Sequence, residues 1–391
     1  MGMMVVAHKE TEADGARAVI GQPVDHLPTP CLLLDQSVLA ANLARMSRRA
    51  ATLGVGLRPH LKTAKSAEIA RRATRNEAGG ITVSTLAEAR YFARHGFGDI
   101  LYAVGVAPTR LDEIANLGAH GVDLKIVLDS AVVAQAVAGH PGRFSAFIEL
   151  DSGAHRAGVA ARSPDLLAIG RLLHEAPRVS LLGVMTHAGH SYHCHSTEEV
   201  VRIAEDERRT AVEAAESLRR AGIPCPIVSV GSTPTAMHAR SLEGVSEMRP
   251  GVYMFNDLDQ LALGSCQPDD LALTVLTTVI GQYPVRNQVL VDAGALALSK
   301  DISAGEFMPE AGFGTIAGLS GLSVTDVNQE HGFVGGRTPL PFERLGIGSR
   351  LRVLPNHACM TAAAYDRYYV VDAALDGGET VVDVWDRVNG W

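Results

Sequence analysis

Short apolar runs alternate with amphipathic, helix-like segments along roughly the first 260 residues of this 391-residue chain. The apolar runs end near Lys62, Ser84, Ala103, Leu128, Leu150, Met185, Val230 and Pro250. The helix-like segments between them include 66–74, 85–95, 109–117, 163–175 and 197–221, and glycine follows several of these, as helix C-caps favour. Eight strands that alternate with helices predict an α/β fold, specifically a (β/α)8 TIM-like barrel; a doubly wound open sheet is the alternative.

The rest of the chain has a different pattern. Its β-like runs cover 271–281, 288–292, 368–371 and 380–385, and turns rich in Gly, Asn and Pro separate them. We therefore expect a second, mainly β domain after the barrel.

The ends of the predicted barrel strands carry most of the reactive side chains. They bring His60 and Lys62, then 151–156 with Arg156, His187 with the loop 188–192, 231–235, and 249–253. In such barrels the functional site forms at the carboxyl ends of the strands. A lysine at a strand-to-helix junction can be partly desolvated, which makes its amine a candidate for Schiff-base chemistry.

Small hydroxyl-bearing residues follow the seventh strand at 231–235, and they predict a phosphate cradle. A lysine, an imidazole that can stack, an arginine and a phosphate cradle at one barrel mouth fit pyridoxal phosphate. Asp151 could orient Arg156 or cap the turn that follows it. No P-loop or GxGxxG spacing is present, which argues against nucleotide binding through those motifs.

His357 and Cys359 form a His-x-Cys pair near the end of the chain. On an extended segment, alternate side chains point to one face, and imidazole with thiolate favours zinc over magnesium or manganese. Spacing alone favours a buried cysteine beside a hydrogen-bonded histidine. Glu330 and His331 could lie behind such a metal or form a solvated turn.

Four motifs place the chain near a known family: TPCLLLD (29–35), PHLKT (59–63), GSTPT (231–235) and RPGVYMFND (249–257). They resemble the alanine-racemase-type (fold type III) pyridoxal phosphate enzymes, in the branch of D-serine dehydratase and D-threonine aldolase. By this resemblance Lys62 carries the cofactor as a Schiff base and is the catalytic residue, and His187 stacks on the pyridine ring. The full cofactor-binding set that we expect is His60, Lys62, Arg156, His187, Tyr192, Gly231, Ser232, Thr233, Gly251 and Tyr253.

The resemblance also changes the interpretation of the His-x-Cys pair. The branch carries a metal at this place, so His357 and Cys359 are its expected ligands. The dehydratases have His-x-Cys, whereas the aldolases have His-x-Asp. The implied function is a PLP- and zinc-dependent lyase that eliminates water from D-3-hydroxy amino acids. D-serine would give pyruvate and ammonia, and D-threo-3-hydroxyaspartate or D-threonine could serve instead. Lys62 would remove the Cα proton, and zinc would assist loss of the β-hydroxyl.

Three other functions stay open. One is a D-threonine or D-3-hydroxyaspartate aldolase that uses Mn2+ or Mg2+; the others are an amino-acid racemase and a non-catalytic pyridoxal phosphate carrier. A second substrate carboxylate would need an extra cation, and Lys300, Arg337 and Arg344 are the candidates.

By the resemblance, 1–35 joins 263–391 in the β-rich, metal-carrying domain, and the barrel spans 36–262. A C2 homodimer is expected, with the β domain of one subunit completing the barrel mouth of the other.

Composition sets the remaining limits. The formal net charge of −8 gives no electrostatic reason to expect binding to nucleic acid or to an anionic membrane. Five scattered cysteines suit reduced thiols, and neither a signal peptide nor an apolar run of about 20 residues is found. We therefore expect a cytoplasmic enzyme. His190, His193, Cys194 and His195 lie close in sequence, but on a loop tip they need not converge on a metal.

Overall fold

A computed structural model describes residues 17–75, 77 and 79–391. The chain divides into two compact units, 43–253 with 388–391, and the residues up to 42 with 254–387. Strand β1 (Cys31–Asp35) leads into helix α1 (Gln36–Leu53), and the division falls within α1. The domain limits expected from the sequence, 36–262 against 1–35 with 263–391, stay a prediction.

The unit 43–253 contains a sheet of eight parallel strands with helices between them. The strands are β2 (Gly56–Leu57), β3 (Ile81–Val83), β4 (Asp99–Gly105), β5 (Asp123–Leu128), β6 (Phe144–Leu150), β7 (Val179–Thr186), β8 (Ile227–Val230) and β9 (Glu247–Met248). The helices after α1 are α2 (Ala67–Ala73), α3 (Leu86–Arg94), α4 (Leu111–Ala119), α5 (Ala131–Gly139), α6 (Pro164–Glu175), α7 (Thr197–Arg220) and α8 (Thr233–His238). Neighbouring strands follow the order β2-β9-β8-β7-β6-β5-β4-β3.

The segment 58–61 closes this sheet into a ring. On one side, the backbone N–H of Arg58 donates to the carbonyl of Met248 at 3.0 Å. On the other side, the N–H of Leu61 donates to the carbonyl of Thr82 at 2.8 Å, and the N–H of Thr82 donates to the carbonyl of Pro59 at 2.9 Å. The predicted (β/α)8 barrel is therefore confirmed, and the open doubly wound sheet is wrong.

Helix α7 illustrates how the sequence specifies these elements. Ser196 accepts a hydrogen bond from the N–H of Glu199 as the N-cap, and acidic residues fill the first turn. Val200, Ala204 and Ala211 are buried at helical spacing along one face. The same face carries the buried Glu207, which accepts hydrogen bonds from two backbone N–H groups at the strand ends.

A buried ion-pair network connects three strands of the barrel. The Arg58 Nε donates to both carboxylate oxygens of Glu247, at 3.1 and 3.0 Å, and its terminal nitrogens pair with Asp99. Lys125 also binds Asp99, at 2.7 Å. Arg58, Glu247 and Lys125 are all buried, so each charge depends on its partners.

The other unit is mainly β, as predicted. Its remaining strands are β10 (Leu273–Tyr283), β11 (Gln288–Val291), β12 (Thr315–Ile316), β13 (Leu322–Val327), β14 (Gly332–Gly336), β15 (Arg350–Leu354), β16 (Arg367–Val371) and β17 (Asp383–Asp386). The sheet order is β11-β14-β13-β12-β15-β10-β1-β16-β17, and β11 also pairs with β10. That extra pairing closes a six-stranded ring, which β1, β16 and β17 extend. Short helices α9 (Leu258–Ala262), α10 (Ala295–Leu298), α11 (Ala358–Ala362) and α12 (Ala373–Asp376) complete it.

No helix in the described part of the chain is long and apolar enough to cross a membrane.

Replacing Arg58 by alanine should destabilise the barrel strongly. The substitution leaves the buried carboxylate of Glu247 without its cation, a loss of about 3–5 kcal/mol. Arg71→Ala is the matched control, because Arg71 pairs with Glu68 on an exposed helix face, where such pairs contribute about 0.5 kcal/mol or less. Urea unfolding followed by circular dichroism measures both variants. Equal midpoints for the two would contradict the importance of the network.

Candidate active site and metal centre

A cavity of about 370 Å³ opens at the carboxyl ends of the barrel strands. Its lining consists of His60, Lys62, Ser84, Ala103, Val104, Gly105, Glu149, Arg156, Ala157, Met185, His187 and Arg249. Four predicted cofactor residues therefore lie around one space: His60, Lys62, Arg156 and His187. Lys62 reaches it because it follows the segment that closes the ring.

Both imidazoles of the cavity are held in the neutral form. Burial above all, together with the positive charges of Lys62 and Arg156, lowers the pKa of His187 to about 3. Burial likewise holds the pKa of His60 well below its ordinary value, with Lys62 and Arg249 acting in the same direction. The Nδ1 atom of His187 lies 3.3 Å from the carbonyl oxygen of Gly231. A neutral, fixed imidazole is suited to packing against an aromatic ring.

Two charged residues of the cavity, Arg249 and Glu149, were not among the predicted site residues. Arg249 is only 3% exposed, and its Nε donates to the hydroxyl of Ser229 at 2.7 Å. That hydroxyl donates in turn to Glu247 at 2.7 Å, so Arg249 is connected to the buried network. Arg249 is the first residue of the motif RPGVYMFND (249–257), one of the four motifs that resemble the family, and this position is the sequence signal for its importance.

Glu149, rather than Asp151, is the carboxylate beside Arg156. A guanidinium nitrogen of Arg156 lies 3.6 Å from the Glu149 carboxylate. Asp151 instead accepts the N–H groups of Gly153 and His155 and binds the His155 ring, so it caps the turn. The sequence signal for the importance of Glu149 is its position as an acidic residue inside the apolar run that ends at Leu150.

The predicted phosphate cradle has a more specific structure than the sequence indicated. Gly231 takes φ +113°, a conformation that favours glycine. Its N–H donates to the buried carboxylate of Glu207 at 3.1 Å, and the N–H of Ser232 donates to the hydroxyl of Thr235 at 2.9 Å. These two backbone donors are therefore bound within the protein, and the role of 231–235 as a phosphate cradle stays a prediction.

Tyr253 has the polar group that most clearly fits a ligand in this part of the barrel. Its side chain is buried, and its hydroxyl has no hydrogen-bond partner among the described residues. Its N–H donates to the hydroxyl of Thr233 at 3.2 Å, which ties it to the cradle. A Cβ on the neighbouring Gly251 would lie 2.9 Å from the carbonyl oxygen of His60, so no larger residue fits there. A buried, unpaired hydroxyl that is tied to the predicted cradle, together with a lysine-bearing cationic cavity at the strand ends, fits pyridoxal phosphate.

Glu207 connects two of the loops that carry predicted cofactor residues, namely the loop after β7 and the loop after β8. One carboxylate oxygen accepts the N–H of Ala188 at 2.9 Å as well as that of Gly231. Tyr192 lies in the same loop as Ala188, with its ring centroid 6.4 Å from that of His187. The spacing of Glu207 from the apolar Val200, Ala204 and Ala211 is a sequence signal for its burial, but nothing in the sequence shows which backbone groups it binds.

His357 and Cys359 contact each other, but they do not share the extended segment that the sequence pattern predicted. His357 is extended and serves as the N-cap of α11, and Cys359 lies in the first turn of that helix rather than on a strand. The imidazole is hydrogen-bonded to the thiol of Cys359 and, through Nδ1, to the carboxylate of Asp301 at 2.7 Å. Burial lowers the pKa of His357, but Cys359 and Asp301 outweigh it and raise the pKa to about 11.

This pair offers one nitrogen and one sulfur donor, a set that zinc favours. Across 17–75, 77 and 79–391, no group of three or more His, Cys, Asp or Glu side chains is arranged to hold a metal ion. The residues at 190–195 therefore form no such group. Glu330 and His331 are exposed in the turn between β13 and β14, and the carboxylate behind the imidazole belongs to Asp301 instead.

The three candidate cations lie in the β unit. Lys300 directly precedes Asp301, Arg337 lines a separate cavity with Glu310, and Arg344 ends a 3-10 turn at Phe342–Arg344. Lys300 is therefore adjacent in sequence to the carboxylate that is hydrogen-bonded to His357.

The His187 imidazole should stay neutral through the physiological range. Its pKa is lowered to about 3, whereas an unfolded chain titrates near 6.5, so folding stability decreases as the pH falls below about 6.5. Histidine 15N NMR of the cofactor-free protein tests this, with His187→Asn to assign the resonance. A midpoint between about pH 6 and 7 would contradict the expected desolvation.

Comparison with known proteins agrees with both units. The alanine racemase N-terminal domain family matches residues 34–259, and the putative serine dehydratase domain family matches residues 272–371.

Three characterised proteins are similar over nearly their whole length. D-threo-3-hydroxyaspartate dehydratase of Delftia sp. (strain HT23) is 45% identical over 93% of this chain and 98% of its own. A structure of that dehydratase, a metal-free variant with one cysteine replaced by alanine, has a TM-score of 0.90 at 42% identity, covering 95% of this chain and 100% of its own. D-serine dehydratase of Dictyostelium discoideum is 34% identical, covering 89% of this chain and 94% of its own. D-threonine aldolase of Arthrobacter sp. is 31% identical, covering 94% and 93%. The chain therefore belongs to the alanine-racemase-like, fold type III family of pyridoxal phosphate enzymes, in the group that carries the serine dehydratase domain.

Proposed function

We propose that this protein is a lyase, dependent on pyridoxal phosphate and zinc, that eliminates water from D-3-hydroxy amino acids. D-threo-3-hydroxyaspartate is the first candidate substrate and D-serine the second, because dehydratases with these names are similar to the chain along most of its length. The observation that carries the proposal is the contact between the His357 imidazole and the Cys359 thiol. Racemisation needs no such metal-binding pair.

Pyridoxal phosphate is the cofactor expected for this family, and Lys62 is proposed to hold it in the barrel cavity. When bound, the cofactor delocalises electron density from the substrate Cα and so acidifies its proton. The Lys62 amine is proposed to accept that proton. The cationic side chains of Arg156 and Arg249 favour anionic groups in the cavity. The unpaired hydroxyl of Tyr253 would be a donor for the cofactor phosphate.

His357 and Cys359 are proposed as the two protein ligands of a zinc ion. The metal, as a Lewis acid, would assist departure of the β-hydroxyl, since hydroxide is a poor leaving group. Two protein ligands leave coordination positions for water and substrate. We also propose a C2 homodimer, which light scattering would report as twice the mass of the chain. A cytoplasmic location stays a prediction.

The products distinguish dehydration from the aldolase alternative. Protein supplied with pyridoxal phosphate and zinc is given D-threo-3-hydroxyaspartate, D-serine and D-threonine separately. We expect a 2-oxo acid with an equimolar amount of ammonia. Glycine with an aldehyde would establish the aldolase, and racemised substrate without either product would establish a racemase.

Loss of the Lys62 amine should abolish covalent attachment of the cofactor. In Lys62→Arg the positive charge remains, but guanidinium does not form the Schiff base. We expect borohydride to fix the cofactor to the wild type and not to Lys62→Arg or Lys62→Ala, as intact mass spectrometry can measure. Elimination should fall by at least about 1,000-fold in both variants, since nucleophile and base are removed together. Covalent labelling of Lys62→Arg at another lysine would contradict the assignment.

A further inference from the structure

Asp301 stands directly behind the proposed metal ligand His357. Its Oδ2 lies 2.7 Å from the imidazole Nδ1, and its Oδ1 accepts the N–H of Ser303 at 2.9 Å. Both carboxylate oxygens are thus bound, one to the histidine and one to the backbone. We propose that Asp301 is the positioning residue of the metal centre: it fixes the tautomer and the ring orientation with which His357 meets a metal. This inference rests on the proposed role of His357 as a ligand.

A closed frame of hydrogen bonds keeps Asp301 in this place. Asn356, the residue before His357, accepts the N–H of Ala304 at 2.8 Å through its side-chain oxygen, and its side-chain nitrogen donates to the carbonyl of Gly312. Ala304 follows Ser303, whose N–H holds Asp301. The frame therefore returns to its starting point, and neither the carboxylate nor the imidazole can rotate without breaking one of these bonds.

The segment before Asp301 is also specialised. Ser299 takes φ +67°, which non-glycine residues seldom adopt, and its hydroxyl accepts the N–H of Asp301 at 3.1 Å. On the far side of His357, the carboxylate of Asp257 accepts the N–H of Ala358 at 2.8 Å. The start of α11 is thus fixed from two directions, by Asp301 on the ring and by Asp257 on the backbone.

The bond to Nδ1 has a direct chemical consequence. Because Nδ1–H stays donated to the carboxylate, a metal binds His357 through Nε2, where it displaces a proton. The carboxylate also makes the imidazole a stronger donor, and loss of such a group typically weakens metal binding about 10–100-fold. Asp301 is far from its histidine in sequence, which is why the His-x-Cys motif does not reveal it.

A simple structural role would predict a different result. The side chains of Asp301 and His357 are 27% and 33% exposed, so removing the carboxylate creates no closed core cavity. If Asp301 only held the loop together, its loss would lower the melting temperature of the metal-free protein and leave the metal dissociation constant unchanged.

Metal binding, measured without turnover, tests the inference. The full-length protein with pyridoxal phosphate is freed of metal by chelation and titrated with Zn2+ against a chromophoric chelator, and with Co2+ to record the thiolate charge-transfer band. The variants are Asp301→Asn, Asp301→Ala and the control Asp326→Asn, whose exposed carboxylate accepts the N–H of Val327. His357→Ala and Cys359→Ala define the loss of a ligand. Melting of each metal-free variant is recorded alongside.

We expect dissociation constants raised about 10–100-fold in Asp301→Asn and at least as much in Asp301→Ala, with Asp326→Asn equal to wild type. The cobalt–thiolate band should persist in both Asp301 variants, because Cys359 is intact. Wild-type affinity in Asp301→Asn, with weakened binding in His357→Ala, would overturn the role of Asp301 alone. Equal affinity in every variant would overturn the metal centre and this inference together. Tight, Asp301-dependent binding in a protein that gives no 2-oxo acid would support the inference while rejecting the proposed reaction.

Discussion

The closing of the barrel by residues 58–61 is the constraint on which the lysine site depends. This segment hydrogen-bonds to β9 on one side and to β3 on the other, and Lys62 follows it at once. The Arg58 guanidinium strengthens the closure, because it pairs with Glu247 of β9 and Asp99 of β4. Lys62 therefore follows a segment whose backbone is hydrogen-bonded to a neighbouring strand on each side.

The charges of the cavity follow from the same arrangement. Glu247 accepts a hydrogen bond from Ser229, which accepts one from Arg249. The buried network therefore continues from the closing segment 58–61 to the cavity. Three cations, Lys62, Arg156 and Arg249, then surround two imidazoles that burial has already made hard to protonate. The result is a site that favours an anionic ligand and offers neutral histidines to it. Glu149 compensates part of that positive charge.

The sequence was sufficient for the features that depend on local periodicity and on strand ends. Eight alternating units predicted the barrel, and the polar residues after the strands predicted that His60, Lys62, Arg156 and His187 would meet. Partners supplied by distant segments were not predictable. Asp301 reaches His357 across 56 positions, and Glu207 binds Gly231 from the middle of a helix. The alternation of side chains along a strand does not explain how Cys359 meets His357. Helix α11 begins between the two residues, and its first turn brings them together.

The central proposal is that Lys62 with pyridoxal phosphate would activate Cα, while a metal held by His357 and Cys359 would assist departure of the hydroxyl. The most direct test compares D-serine with β-chloro-D-alanine on the Cys359→Ala variant loaded with pyridoxal phosphate. Chloride leaves without a Lewis acid, whereas hydroxide does not. The account predicts that pyruvate formation from D-serine falls by at least about 100-fold and that formation from β-chloro-D-alanine stays near the wild-type rate. Equal losses with both substrates, or no loss with either, would contradict it.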